Sequence, residues 1–260
     1  MNVEDKLSLN LKKLKLPVMQ AEFLQQSEKA RKDTWSYEEY LFELAQSELM
    51  ARDNKRFDRW LKESCLPISK SLANFNLSRL PKGIQHQFNA LLDGRFLERK
   101  ENILFFGTPG GGKTHLVCGL AQEMIRKGFK AYFRSCAALI QELLIAKSEL
   151  RLNRLLKKLT SYDLIVIDEI GYVQQEKGEM EVLFTLLGDC YERTSILLTS
   201  NLPFSKWGGI FKDAMMAAAA IDRLIHHSVI LELNLTSYRL EKSKTGKEKK
   251  EAITTKGEET

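Results

Sequence analysis

The sequence predicts an α/β fold: a parallel five-stranded sheet sandwiched by helices, preceded by an all-helical N-terminal segment. Three observations predict it. From Glu101 onward, apolar runs of strand length alternate with helical patterns, as parallel strands joined by crossover helices require. The run Ile103-Leu-Phe-Phe106 leads at once into Gly107-Thr-Pro-Gly-Gly-Gly-Lys-Thr114, a glycine-rich loop between a strand pattern and a helix pattern. Residues 1–66 show apolar positions at helical spacings and no alternation.

Composition bounds the answer. A chain of 260 residues can bury a sizeable core and fits one α/β domain plus an appendage. The 43% hydrophobic and 28% charged residues are those of a soluble globular protein. No apolar run approaches the roughly 20 residues of a membrane-spanning helix. The net charge of +6 and pI near 9.0 lean towards a polyanionic partner. Cys65, Cys118, Cys136 and Cys190 are scattered without paired spacing, which argues against a disulfide framework or a zinc site and for a reducing compartment. Glu4, Asp5 and Lys6 stand where a signal peptide would be apolar, so a cytoplasmic protein is expected.

In the first segment, Leu7, Leu11 and Leu14 share one face; Pro17 breaks that pattern and can open a second helix at its first turn. Ser36-Tyr-Glu-Glu39 is a capping-box sequence at the head of a long helix, with Tyr37, Tyr40, Leu41 and Leu44 as its early apolar face. Further along, Arg52, Lys55, Arg56, Arg59 and Lys62 fall on one side of it. That stripe reads either as a face tracking DNA phosphates or as a solvated helix face. Residues 67–81 carry prolines and polar residues without periodicity and read as a linker into the domain of residues 67–240. A helix from Lys82 is expected to stop at Gly94.

The glycine loop matches the phosphate-loop pattern in its required context. The loop Gly107, Thr108, Pro109, Gly110, Gly111 and Gly112 is expected to curl its backbone N–H groups around a polyphosphate, Pro109 having none to offer, and only glycines let the main chain approach that closely. Lys113 is expected to reach the β- and γ-phosphates and the Thr114 hydroxyl to ligate Mg²⁺. His115 opens a helix whose N-terminus favours an anion and which runs to Gly128. Ala131-Tyr-Phe133 is a short strand, and Ser135 caps the next helix. Two helical stretches follow to Thr160, with Lys147, Arg151, Arg154 and Lys158 as a second basic stripe, again DNA-facing or merely solvated.

Asp163-Leu-Ile-Val-Ile-Asp168-Glu169 is a buried strand ending in two carboxylates. Downstream of a phosphate loop, Asp168 is placed for the Mg²⁺ shell and Glu169 to orient and deprotonate an attacking water, which points to ATP hydrolysis. A helix over residues 179–193 leads to the strand Ser195-Ile-Leu-Leu-Thr-Ser200; Asn201 beyond it either bonds the water or γ-phosphate, or merely forms a turn before Pro203. Residues 214–224 form an alanine-rich helix, and Val229-Ile-Leu-Glu-Leu233 a fifth strand. Adjacent His226 and His227 lack a third ligand type nearby and do not read as a metal site. Residues 241–260 carry almost nothing apolar and are expected to be a disordered charged tail.

Five strings carry a resemblance: Leu164-Ile-Val-Ile-Asp-Glu-Ile-Gly-Tyr172, Tyr191-Glu-Arg-Thr-Ser195, Thr199-Ser-Asn-Leu-Pro-Phe-Ser-Lys-Trp207, Asp222-Arg-Leu-Ile-His-His227 and Ser237-Tyr-Arg239. Together they resemble the IstB family, ATPase helpers of insertion sequences within the AAA+ class and relatives of the DnaC helicase loader and the DnaA initiator. The resemblance covers almost the whole chain. It implies that Asn201 is a sensor residue, that Arg223 is an arginine finger acting on ATP in a neighbouring subunit, and that Arg239 is a second sensor. Asn234-Leu-Thr236 departs from the glycine that many relatives carry before Ser-Tyr-Arg. By the same resemblance, the helix pair over residues 137–160 corresponds to an insertion that in relatives faces DNA. The implied function is an ATP-dependent homo-oligomer on double-stranded DNA, without sequence preference, that recruits and stimulates the transposase of the same element. A DnaC-like helicase loader and a non-enzymatic ATP-dependent DNA scaffold are the alternatives.

Overall fold

The computed structural model describes residues 2–171, 177–203, 206–207, 214–235 and 237; the expected tail and Arg239 lie outside them. The chain divides into two compact units, residues 1–59 and 60–260.

In the first unit, α1 (Val3–Lys13) starts from a capping box in which Asn2 and Asp5 satisfy each other's N–H groups. Helix α2 (Pro17–Lys32) carries its proline at the first turn, where a missing N–H costs nothing. Helix α3 (Tyr37–Glu63) opens on the expected box: Ser36 N–H donates to Glu39 Oε2 (2.7 Å) and Glu39 N–H to Ser36 Oγ (3.1 Å). The core is narrow. Leu11, Phe23 and Leu44 are buried, flanked by Leu16, Met19 and Tyr40. The broader apolar faces expected from spacing are only partly covered: Leu14 is 67%, Tyr37 91% and Leu41 58% exposed.

Glu48 completes this unit. It is buried, and its Oε2 accepts the N–H groups of Val18 (2.8 Å) and Met19 (3.1 Å), capping α2 from thirty residues away. Residue Leu16, at the cap position, provides no side-chain bond. Burial alone would raise the Glu48 carboxyl; those two N–H groups and Arg52 outweigh it and hold the group below the usual carboxylate range.

The second unit begins within α3. Residues 67–81 form two 3-10 turns, Leu72–Asn74 and Leu77–Arg79, before α4 (Lys82–Leu91). The helix expected to stop at Gly94 ends at Leu91 instead; Gly94, at φ 86°, starts the short α5 (Arg95–Glu98). Then come β1 (Asn102–Gly107), α6 (Lys113–Arg126), β2 (Ala131–Ser135), α7 (Cys136–Ser148), α8 (Leu152–Leu159), β3 (Leu164–Ile170), α9 (Lys177–Cys190), β4 (Ser195–Ser200), α10 (Ala214–Ile225) and β5 (Ser228–Leu233). Gly128 at φ 93° follows the end of α6, and Ser135 Oγ accepts Ala138 N–H at the head of α7.

The strands are all parallel and ordered β2-β3-β4-β1-β5. Leu104, Phe106, Ile165, Ile167, Ile196 and Leu198 on one sheet face pack with residues of α7, α9 and α10. The alternating residues Ile103, Phe105, Val166 and Leu197 are equally buried, and Phe88 of α4 meets Phe105 edge-on. Burial on both faces explains why these strands read as continuous apolar runs. The chain leaves β1 towards β2 but leaves β4 for β5 on the other side of β1. Connections departing in opposite directions open a crevice beyond the ends of β1 and β4, where such sheets hold ligands.

Candidate nucleotide site

The loop after β1 is shaped by close approach. Gly107 has φ 141°, and a Cβ there would lie 2.0 Å from the Leu233 carbonyl oxygen of β5. Gly112, at φ 93°, turns the chain into α6, and a Cβ on it would lie 2.7 Å from the Phe75 ring. Only glycine fits either position. Lys113 is buried and its Nζ donates to the carbonyls of Gly107 (2.7 Å) and Thr108 (2.9 Å) and to Asn201 Oδ1 (2.5 Å). Burial holds the ammonium below its ordinary value, against the opposing pull of the Asp168 and Glu169 charges. The Asn201 side chain thus meets the loop lysine.

The end of β3 supplies the acids, and β4 a hydroxyl beside them. Asp168 is 7% exposed, and its Oδ1 accepts the hydroxyls of Thr114 (2.9 Å) and Thr199 (2.6 Å). Thr199 Oγ1 also accepts the Glu169 N–H (2.8 Å). In a regular strand, Asp168 and Glu169 would face opposite sides of the sheet. Here the β3–β4 register shifts between Ile167 and Ile170, and Glu169 takes φ 63°. A left-handed non-glycine residue costs about 1–2 kcal/mol. The bulge leaves Asp168 buried beside Thr114 and Glu169 exposed on the cleft wall.

That cleft has a volume of about 1050 Å³. Lys113, Thr114, His115, Glu169 and Asn201 line one side; Lys70, Phe75, Asn76 and Arg79 line the other. Residues 67–81 are therefore a wall of the site, not only a connection. Their seat is polar and apolar together: His115 Nε2 lies 2.7 Å from the Ser71 carbonyl, the Phe75 and His115 rings are 5.2 Å apart, and Gln122 Nε2 donates to the Pro67 carbonyl (3.1 Å). His115, expected among the phosphate contacts, has its ring engaged with this segment. Thr199 and the wall residues escaped the sequence reading; a lone threonine in the apolar run Ile196-Leu-Leu-Thr199 was the signal for the first.

Among the described residues, no group of three or more His, Cys, Asp or Glu is placed to hold a metal ion. Mg²⁺ does not need one, since it keeps waters and takes one or two protein oxygens beside phosphate. The Thr114 hydroxyl and the Asp168 carboxylate, 2.9 Å apart beside the loop, are hard oxygen donors of the right kind.

Residues 9–246 match the family described as IstB-like ATP binding protein. The chain belongs to that family. An insertion-sequence ATP-binding protein of Sinorhizobium fredii is 38% identical over 91% of this chain and 80% of its own length. One from insertion sequence IS5376 of Geobacillus stearothermophilus is 36% identical over 91% and 94%. Among solved structures, DnaA from Aquifex aeolicus bound to AMPPCP superposes with a TM-score of 0.55 at 19% identity, covering 66% of this chain and 52% of that one. The DnaC helicase loader gives 0.51 at 18%, over 62% and 97%. The fold is that of the AAA+ phosphate-loop proteins.

In this IstB-like chain, Arg223 lies away from the loop. It sits near the end of α10, its guanidinium stacked over Phe184 of α9 at 4.7 Å. The α10–β5 turn is tied to the starting end of β1, where Asn102 N–H donates to the His227 carbonyl (2.7 Å). Lys113 follows the finishing end of β1, so a strand length, on the order of 20 Å, separates the two. Arg239 lies outside the described residues.

The basic stripes divide on inspection. Arg52 Nε donates to Glu48 (3.0 Å) and its Nη2 to the Lys15 carbonyl (2.6 Å), which ties the first unit together. Arg56 pairs with Asp53 at 2.9 Å, while Lys55 and Arg59 are exposed. In the second stripe, Leu150 at φ 55° breaks the helix between Lys147 and Arg151. Spacing across that break has no helical meaning. Lys147 pairs with Glu181 (3.0 Å) and Arg151 with Glu149. Arg151, Arg154 and Lys158 nevertheless line one groove between α7 and α8, together with Ile145, Leu155 and the acids Glu142 and Glu149. No helix among the described residues is long and apolar enough to cross a membrane.

Proposed function

We propose that this IstB-like protein hydrolyses ATP and, as an ATP-bound homo-oligomer on double-stranded DNA, assists the transposase of an insertion sequence. The observation that carries the catalytic part is the meeting of Lys113, Thr114, Glu169 and Asn201 at one cleft, with Asp168 bonded to Thr114 beside them. Thr114 and Asp168 would hold Mg²⁺, which would supply charge neutralisation at the triphosphate. Lys113 exchanges its carbonyl partners for β- and γ-phosphate oxygens. Glu169, on the cleft wall, orients a water in line with the γ-phosphorus and takes its proton as the P–O bond to the β-phosphate breaks. Asn201 bonds the γ-phosphate or that water while keeping Lys113 aligned.

Arg223 cannot reach the triphosphate of its own subunit across a strand length, which supports its action on a neighbour's. The net charge of +6 and the groove of Arg151, Arg154 and Lys158 support a duplex partner bound through phosphates. The insertion-sequence descriptions of the relatives favour a transposition helper over a helicase loader.

The test is phosphate release, with and without duplex DNA, by the wild type and by Glu169→Gln. We expect DNA-stimulated turnover by the wild type and, in the variant, ATP binding with turnover lost. A wild type that binds ATP and DNA without releasing phosphate would make the protein a scaffold.

A further inference from the structure

At the starting ends of β1, β4 and β5, away from the phosphate loop, lies a second cleft of about 210 Å³ that Arg223 helps to line. Arg99, Lys100 and His227 share its walls, with Glu192 as the one acid among its lining residues. A space this small falls below the roughly 300–1,000 Å³ of sites that enclose a drug-sized ligand. It suits the phosphate end of a nucleotide whose remainder is held elsewhere.

The cleft is a built feature. Asn102 is buried and both ends of its side-chain amide are bonded: its N–H donates to the His227 carbonyl (2.7 Å), its Nδ2 to the Leu224 carbonyl (3.2 Å), and its Oδ1 accepts the Ile196 N–H (2.9 Å). One side chain thus ties the root of α10 and its turn into β5 to the starts of β1 and β4. Arg99 and Lys100 sit immediately before that anchor, and Lys100 at φ 54° turns the chain out of α5 beside the cleft. Arg99 pairs with Glu101 at 3.2 Å and is 62% exposed, so an incoming anion can recruit it without opening a core. Arg223 is held by its stack on Phe184, and a Cβ on Gly188 would lie 2.9 Å from its Nη1. Three cations at one small cleft offer donors to several phosphate oxygens at once, where a lone guanidinium covers two.

We propose that Arg99 and Lys100 join Arg223 in receiving the triphosphate end of ATP held in the large cleft of a neighbouring copy of this chain. They donate to non-bridging phosphate oxygens as charge develops there, and so are catalytic residues acting across the subunit boundary. This rests on reading Arg223 as a residue that acts in trans.

The experiment mixes variants. Arg99→Gln/Lys100→Asn (asparagine tolerates the left-handed turn) should bind ATP as the wild type does, because its own nucleotide cleft is intact. Its turnover should fall about tenfold or more, the loss of charge-assisted hydrogen bonds from the transition state. Glu169→Gln should be inactive alone. Mixed, the two should recover turnover that neither shows, because the intact small cleft of one meets the intact large cleft of the other. Arg223→Ala mixed with Glu169→Gln is the reference. If that reference pair recovers and the Arg99/Lys100 pair does not, the inference fails alone. If neither recovers, catalysis across subunits fails with it. Duplex DNA affinity is measured on the same variant; a loss there with undiminished turnover would assign the cleft to DNA phosphates and overturn the proposal. Single Arg99→Lys and Lys100→Arg variants, which keep the charge, should retain turnover even if the double variant folds poorly; a tenfold loss in both would also refute the role assigned to these charges.

Discussion

Thr199→Val probes the two proposed catalytic acids without replacing either of them. The hydroxyl is fully buried, donates to Asp168 Oδ1 at 2.6 Å and accepts the Glu169 N–H at 2.8 Å. Valine keeps the shape and removes both bonds. Asp168 then depends on Thr114 alone for that oxygen, and the left-handed turn at Glu169 loses the acceptor that holds it. A hydrogen bond to a charged group is worth about 1.5–3 kcal/mol. If that loss falls on the transition state, turnover drops roughly tenfold to a hundredfold. ATP affinity should hold, since Lys113 and the loop are unchanged. Thr199→Ser keeps the hydroxyl and should restore most of the rate. The assay is steady-state phosphate release beside equilibrium ATP binding for the three proteins. Wild-type turnover by Thr199→Val would show that the bulge is held by other contacts and that Thr199 has no part in aligning the acids.

Other perturbations reach other parts of the account. Phe75→Ala should weaken ATP binding severalfold with little change in saturated turnover, read by titration; unchanged affinity would return residues 67–81 to a connecting role. Arg154→Glu with Lys158→Glu should lower affinity for all duplex sequences alike and flatten its salt dependence, whereas Arg52→Ala should act on stability instead. Glu48→Gln should speed hydrogen exchange at the Val18 and Met19 amides at neutral pH, by about 1–3 kcal/mol of local stability. Because the folded Glu48 carboxyl lies below its unfolded value, its contribution is present above the unfolded pKa and fades as pH falls through the folded one. The difference between wild type and Glu48→Gln should therefore shrink in acid. A difference that persists there would mean the charge is not what Glu48 supplies.

Much of this was legible in the residues. The central strands β1, β3 and β4 could be read because burial on both faces makes them continuous apolar runs, and the loop because its glycines stand where backbone meets backbone, as at Gly107 against Leu233. What could not be read depends on partners distant in sequence. Alternation places Asp168 and Glu169 on opposite faces; only the pairing of β3 with β4 creates the bulge that leaves Asp168 against Thr114 and Glu169 on the cleft wall. The seat of residues 67–81 has no period, because it is made by Leu72 over Gly119 and Phe75 beside Gly112. Leucine spacing in α1 tells which residues share a face, not how much of it a narrow core covers. The basic stripe from Lys147 to Lys158 looked helical because the break at Leu150 leaves no mark in spacing.

The central claim is that one triphosphate is shared by the lysine of the first strand end and the carboxylates of the third. A crystal structure of the Glu169→Gln protein with ATP and Mn²⁺ in place of Mg²⁺ tests it most directly, because the anomalous signal locates the ion independently of the refined chain. The account predicts a peak bridging the β- and γ-phosphates within about 2.3 Å of Thr114 Oγ1, with Asp168 beside it directly or through one water, and Lys113 Nζ moved from the Gly107 and Thr108 carbonyls onto phosphate. An ion bound away from Thr114 and Asp168, or a nucleotide that leaves Lys113 on those carbonyls, would contradict it.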